Sequence, residues 1–168
     1  MTQDHREKDS ITFNTPFELG LRSLGILSEV YPENIDLKRL LIYDYLIIHS
    51  NDIKNGPPSL HPSTPHRSSG MIIRRKILQD GLNLMYSKSL LDIIYDKSGI
   101  TYRASSLTKP FLGLVDSTYL GKLKFNAKWV VERFSDLEDE ALDEYINSHL
   151  IDWGGEFEYE FLMEESEE

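Results

Sequence analysis

The sequence predicts a mostly helical α+β chain that carries a single β-hairpin. Three observations predict it. Apolar residues recur at helical spacing in several long stretches, most clearly Met71, Leu78, Leu82 and Met85. Two capping boxes, Thr15-Pro16-Phe17-Glu18 and Ser135-Asp136-Leu137-Glu138, mark helix starts. Between Leu91 and Ala104 the period changes to two: Leu91, Ile93 and Tyr95 alternate with Asp92 and Asp96, and Ile100, Tyr102 and Ala104 alternate with Thr101 and Arg103. Asp96-Lys97-Ser98-Gly99 joins the two runs with turn chemistry, Gly99 being able to take positive φ. A helix leading directly into such a hairpin is the order of a winged helix. The expected core is therefore winged-helix-like, with a C-terminal helical extension.

The elements follow in order. Residues 1–12 are polar and expected to be disordered. Pro16 at the first helical position starts a helix whose apolar face holds Phe17, Leu21, Leu24, Leu27 and Tyr31, and Pro32 ends it. Asp36 caps the next helix, which runs to about Ser50. Its centre, LLIYDYLII, is apolar on all sides, as in a helix buried in a core. Asp44 stands alone in that run. A buried carboxylate must be paired, with Arg74, Arg67 or Arg75 as candidates, unless Asp44 lies on a solvent-facing edge. Residues 51–69 read as a long loop with four of the seven prolines. Pro65 disfavours helix just before it, and Ser68 or Ser69 can cap the helix that follows. That helix has a wide apolar arc and a polar strip of Lys76, Gln79, Asp80, Asn83 and Ser87.

After the hairpin, Leu107–Val115 reads as a short helix and Ser117–Phe134 as a longer one. Tyr119, Leu123, Val130 and Phe134 lie near one face of the longer helix, which Phe125 and Trp129 broaden. The second capping box opens a helix to about Leu150 with Ala141, Leu142, Tyr145 and Ile146 inward. The expected organisation is one domain over 13–150 and an acidic-aromatic segment over 151–168. Within that segment Glu156-Phe157-Glu158-Tyr159-Glu160-Phe161, after Gly154-Gly155, has a strand period.

Composition narrows the function. There are no cysteines, so disulfides and thiol chemistry are excluded. The start, MTQDHREKDS, lacks the apolar run of a secretory signal, and no apolar run reaches membrane-spanning length, so a cytoplasmic chain without membrane partners is expected. The net charge of −10 is divided unevenly. Residues 1–131 hold 17 Lys/Arg and 13 Asp/Glu, whereas residues 132–168 hold 1 Arg and 15 Asp/Glu. The body is mildly basic, and the strongly acidic end suits a basic protein surface better than DNA.

No chemistry-bearing constellation emerges. The chain has no G-x-x-x-x-G-K-[ST] phosphate loop, no Ser-His-Asp or Cys-His pairing and no carboxylate cluster of a two-metal nuclease. His49, His61 and His66 match no common metal-ligand spacing, so neither metal nor cofactor is expected. A base-reading helix offers Arg, Lys, Asn or Gln beside phosphate-binding cations. Here one Lys is offset by one Asp, which favours a protein-facing helix. The candidate partner contacts are Arg67, Arg74 and Arg75, next to the stiff proline loop, together with Phe157, Tyr159 and Phe161. Lys88, Lys97 and Arg103, on or beside the hairpin, are candidates for weak, nonspecific phosphate contacts.

Four stretches, TPFELGLRSLGILSEVYP (15–32), IDLKRLLIYDYLIIHSNDI (35–53), GPPSLHPSTPHRSSGMIIRRKILQDGLNLM (56–85) and AKWVVERFSDLEDEAL (127–142), carry a resemblance. Together they resemble the small middle component of bacterial ABC three-component systems, a group that includes Lamassu-type anti-phage systems. LHPSTPHRSSGMIIRR and WVVERF are the most specific parts, and the likeness spans roughly Thr15 to Leu150. The resemblance implies a non-enzymatic subunit with no catalytic residues to carry over. It would sit on an SMC-like ABC ATPase that senses DNA and link it to an effector, often a nuclease, meeting DNA mainly through the complex. The acidic-aromatic end is outside that resemblance. The competing reading is a free-standing winged-helix transcription regulator, which would need a basic recognition surface.

Overall fold

Residues 15–61 and 71–153 are described in the computed structural model of the chain. Helix α1 spans Pro16–Val30. Thr15 Oγ1 accepts from the Glu18 N–H at 3.3 Å, and Pro16 sits at the first helical position, as the capping box predicts. Every residue from Leu19 to Leu27 is buried. The physical reason is position: α1 packs against three other long helices, the short fourth one and the sheet, so it has no wet face along its middle. The ends differ from expectation. Phe17, in the first turn, and Tyr31, just after the helix, are expected on the packed face but are exposed.

Strand β1 is only Ile35–Asp36, and Asp36 also caps α2 (Leu37–Ile48) by accepting from the Arg39 N–H at 2.8 Å. Leu40–Ile48 is buried on all sides, as its composition requires. A 3₁₀ turn, Ser50–Asp52, follows. Helix α3 is Met71–Ser87, β2 is Leu91–Asp96 and β3 is Gly99–Ala104. Helix α4 is Thr108–Leu114, α5 is Thr118–Phe134 with Ser117 as its cap, and α6 is Asp139–Trp153.

Helices α1 and α3 make the most extensive contact between elements. Two glycines permit it. A Cβ on Gly81 would lie 2.4 Å from the Pro16 carbonyl oxygen and 2.8 Å from the Gly20 nitrogen, so the two backbones touch where they cross. The sheet is antiparallel in the order β1-β3-β2, with Ile35 opposite Tyr102 and Leu91 opposite Ala104. Gly99, at φ 117°, completes the two-residue turn. Strand β1 escaped the sequence reading because two residues carry no period. Asn34 secures it, donating to Thr101 Oγ1 at 2.6 Å.

Residues 50–61 lie against the body, so this part of the loop is not free-standing. Ser50 Oγ donates to the Pro57 and Pro58 carbonyls at 3.1 and 3.2 Å. The buried Asn126 of α5 donates to the Ile47 and Pro58 carbonyls at 3.3 and 3.1 Å. The second capping box does not start a helix at Asp136. Helix α6 begins at Asp139 and runs three residues past the expected Leu150. Leu142 and Ile146 enter the core, but Ala141 is exposed, as is Phe125 of α5. Two ion pairs fasten α6 to the start of α2: Lys38–Asp143 at 2.7 Å and Arg39–Asp139 at 3.2 Å. The expected disordered start (1–12), the loop positions Pro62, Pro65, Ser68 and Ser69, and the glutamate-aromatic stretch 154–168 lie outside the described residues. Among the described residues no helix is long and apolar enough to cross a membrane.

Candidate functional site

Two features stand out, a buried charge cluster and an exposed hairpin tip. The cluster forms where α1, α2, α3 and α5 converge. Arg22 Nε donates to Asp44 Oδ1 at 2.5 Å and its Nη2 to Oδ2 at 3.2 Å, a side-on fork with both side chains fully buried. Burial alone would raise the Asp44 carboxyl. The Arg22 charge and hydrogen bonds outweigh burial, Arg74 adds to them, and Asp44 stays below the ordinary carboxylate range. Burial likewise works against the Arg22 charge, but Asp44 overrides it and holds the guanidinium above its ordinary value. Arg74, on α3, acts on the same carboxylate through its charge. Burial and the Arg22 charge weaken its proton affinity, Asp44 opposing them, and its Nη1 is out of water with no hydrogen-bond partner among the described residues.

His61 and Tyr119 close the cluster on the loop side. His61 Nε2 and the Tyr119 hydroxyl are 3.0 Å apart. Burial, then the nearby Arg22 charge, pushes the imidazole down to about 4 despite the pull of Asp44, while burial pushes the Tyr119 phenol up. Both groups are therefore neutral at pH 7, so this contact is a hydrogen bond between uncharged rings and not a poised acid and base. Burial raises the Glu18 carboxyl at the rim, partly offset by Arg22. The cluster holds helices together.

The expected partners of Asp44 need correction. The ion pair is with Arg22, which the sequence reading passed over; Arg74 contributes charge from a second helix. The solvent-edge alternative for Asp44 is excluded by its complete burial. A signal for Arg22 existed, since it is the one charge inside the apolar run LGLRSLGIL, as Asp44 is inside LLIYDYLII.

The other candidates are dispersed. Arg75 is half-buried on α3, and Arg67, Phe157, Tyr159 and Phe161 lie outside the described residues. Lys88 is exposed just after α3, Lys97 is exposed in the hairpin turn, and Arg103 lies 3.8 Å from Asp92 across the hairpin. Arg103 lies four rungs, about 13 Å, from the last rung before the turn that carries Lys97. Asp92, Asp96, Lys97 and Arg103 cancel, leaving the hairpin without net charge. On α3, Lys76 is 3.4 Å from Asp80. Buried His49 ends α2 beside Tyr45, and His66 lies outside the described residues. Among the described residues no group of three His, Asp or Glu side chains is close enough to hold a metal ion.

The hairpin's apolar face is the exposed feature. Leu91, Ile93 and Tyr95 stand opposite Ala104, Tyr102 and Ile100. At the base this face is core: Leu91 and Ala104 are buried and Tyr102 is 8% exposed. At the tip it runs past the body, with Tyr95 75% and Ile100 51% exposed as a directly opposed pair. An exposed apolar pair beside an edge strand is a surface on which another chain can pack.

No curated protein and no solved structure matches the chain. A family profile described as ABC-three component (ABC-3C) system Middle Component 2 does match, over residues 12–156. That span takes in every described element but none of the acidic stretch after Glu156. The chain is therefore a member of the Middle Component 2 family and a component of an ABC-3C system.

Proposed function

We propose that this subunit is a non-enzymatic bridge in a bacterial anti-phage or anti-plasmid defence complex of the Lamassu type. It binds an SMC-like ABC ATPase that senses DNA and links that ATPase to an effector such as a nuclease. The order α1-β1-α2-α3-β2-β3 with sheet order β1-β3-β2 supports a winged-helix-like module. The observation that carries the bridging role is the uncovered Tyr95–Ile100 pair on a hairpin with no net charge, a surface suited to protein and poorly suited to phosphate. Arg67, Arg74 and Arg75 mark a further contact next to the proline loop. DNA is met mainly through the complex, with Lys88, Lys97 and Arg103 as weak phosphate contacts.

Co-expression with the products of the adjacent genes tests the reading. A stable complex containing an ATPase and an effector is expected, with little DNA retardation by the isolated subunit. Tight, sequence-selective retardation by the subunit alone, with no co-purifying partner, would instead establish a free-standing transcription regulator. That outcome is disfavoured by the Lys76–Asp80 pairing on α3.

A further inference from the structure

Strand β2 is one of the two edge strands of the sheet among the described residues, and the longer of them. Its hydrogen-bonding register follows from the turn. Asp96 and Gly99 close a two-residue turn, so their rung exchanges backbone hydrogen bonds and the rungs then alternate. Asp92, Ile94 and Asp96 therefore bond to β3. Leu91, Ile93 and Tyr95 turn their N–H and C=O groups outward. The residues whose backbone groups have no strand partner among the described residues are thus the same ones that carry the apolar face, and Tyr95 is exposed.

We infer that the outer edge of β2 receives an extended segment of a partner subunit, added as a fourth strand, in which apolar residues alternate with Lys or Arg. Backbone pairing would satisfy the outward groups of Ile93 and Tyr95, and apolar side chains would cover Tyr95 and Ile100. The charge of the segment is set by the other face of β2. There Asp92 and Asp96 flank Ile94; Arg103, on the β3 side, lies 3.8 Å from Asp92 and Ser98 bonds Asp96, so the two carboxylates outnumber the one cation on this face and a matching strand places a cation at its acidic outer margin. This chain's own Glu156-Phe157-Glu158-Tyr159-Glu160 has the right period and the wrong sign. With Phe157 and Tyr159 against the apolar face, Glu156 and Glu160 fall beside Asp92 and Asp96 in either strand direction. A slip of one residue instead places the aromatic rings against the carboxylates. Charge complementarity thus selects a basic partner over the chain's own end.

The inference rests on the bridging role proposed above, and hydrogen exchange on the free subunit and on the co-expressed complex separates the two. The Ile93 and Tyr95 amides should exchange fast in the free subunit and at least tenfold more slowly in the complex. Tyr95→Pro, which removes an outward N–H without touching the β2–β3 ladder, should weaken assembly at least tenfold with the melting temperature little changed. If that variant unfolds, Tyr95→Lys probes the same edge through an exposed side chain. Asp92→Lys should weaken assembly as well. A complex that forms with unchanged exchange at Ile93 and Tyr95 overturns the strand and leaves the bridge standing, whereas failure to form any complex overturns the bridge. Protection already present in the free subunit and lost on deleting 154–168 would show that the chain's own end is the occupant, and protection by duplex DNA alone would show a nucleic-acid surface. Either result overturns the inference.

Discussion

Removing Asp44 should be the most damaging single change in this molecule. Asp44→Ala leaves Arg22 fully buried, with no carboxylate to take its two hydrogen bonds of 2.5 and 3.2 Å. It also removes the carboxylate that favours the Arg74 charge against burial and the repulsion of Arg22. Removing one partner of a buried pair typically costs about 3–5 kcal/mol, because the remaining charge is stranded. A domain of this size has a total stability of about 5–15 kcal/mol, so the variant should be close to unfolding at the lower end of that range. At about 2–4 °C per kcal/mol, the melting temperature should fall by roughly 6–20 °C. Removing both partners is a different perturbation. Arg22→Met with Asp44→Leu strands no charge from that pair and fills similar volume, leaving only Arg74 without its counter-charge, so it should cost less than Asp44→Ala. Arg74→Met removes a cation whose Nη1 has no partner among the described residues, and should be milder than Asp44→Ala. Urea unfolding followed by circular dichroism measures all three. If Asp44→Ala sits within 1 kcal/mol of the parent, or if the double variant is the less stable of the two, then the cluster does not hold the helices as described.

Two further outcomes follow from the same packing. In Gly81→Ala a gain in helix propensity of about 1 kcal/mol opposes an overpacking penalty near 3 kcal/mol, since the new methyl meets backbone and not a flexible side chain; a raised melting temperature would contradict the touching α1–α3 crossing. His61 takes protons less readily folded than unfolded, so the unfolded chain binds more of them between 6.5 and about 4. Stability is therefore complete above pH 6.5 and is lost as pH falls toward 4, by roughly 3 kcal/mol from this residue. His61→Gln should flatten the stability curve over that window, and equal slopes for parent and variant would refute the buried neutral imidazole.

What was legible in the sequence was local. The Thr15 cap, the Asp36 cap, the all-apolar α2 and the hairpin with its Asp96–Gly99 turn each depend on residues within one or two turns of one another, and all stand where the spacing put them. The misses involve a second element. Phe17, Tyr31 and Phe125 have helical spacing but are exposed, because spacing does not say where the packing partner stands. Ser135 has the residues of a cap, but the following turn is not helical until Asp139, and α6 is held instead by Asp139 and Asp143 on Arg39 and Lys38.

The charge cluster shows the same limit at finer grain. A lone charge inside an apolar helix was visible in both α1 and α2, and the physics that each must find a counter-charge required no structure. The choice of counter-charge did. Arg22 bonds Asp44 while Arg74 acts on it through its charge, a ranking set by how the three helices are placed. That depends on the crossing at Gly20 and Gly81, where the absence of two side chains lets α1 and α3 close to backbone contact. Gly81 lies two turns beyond Arg74, about 10 Å along α3. Each glycine alone reads as a weak helix position. Only as a pair do they have a function, and a pair formed 61 residues apart has no local signature. The same reasoning explains why the hairpin tip was legible as strand and not as surface. Alternation told which side of Tyr95 and Ile100 faces inward, but it could not tell that the body ends before they do.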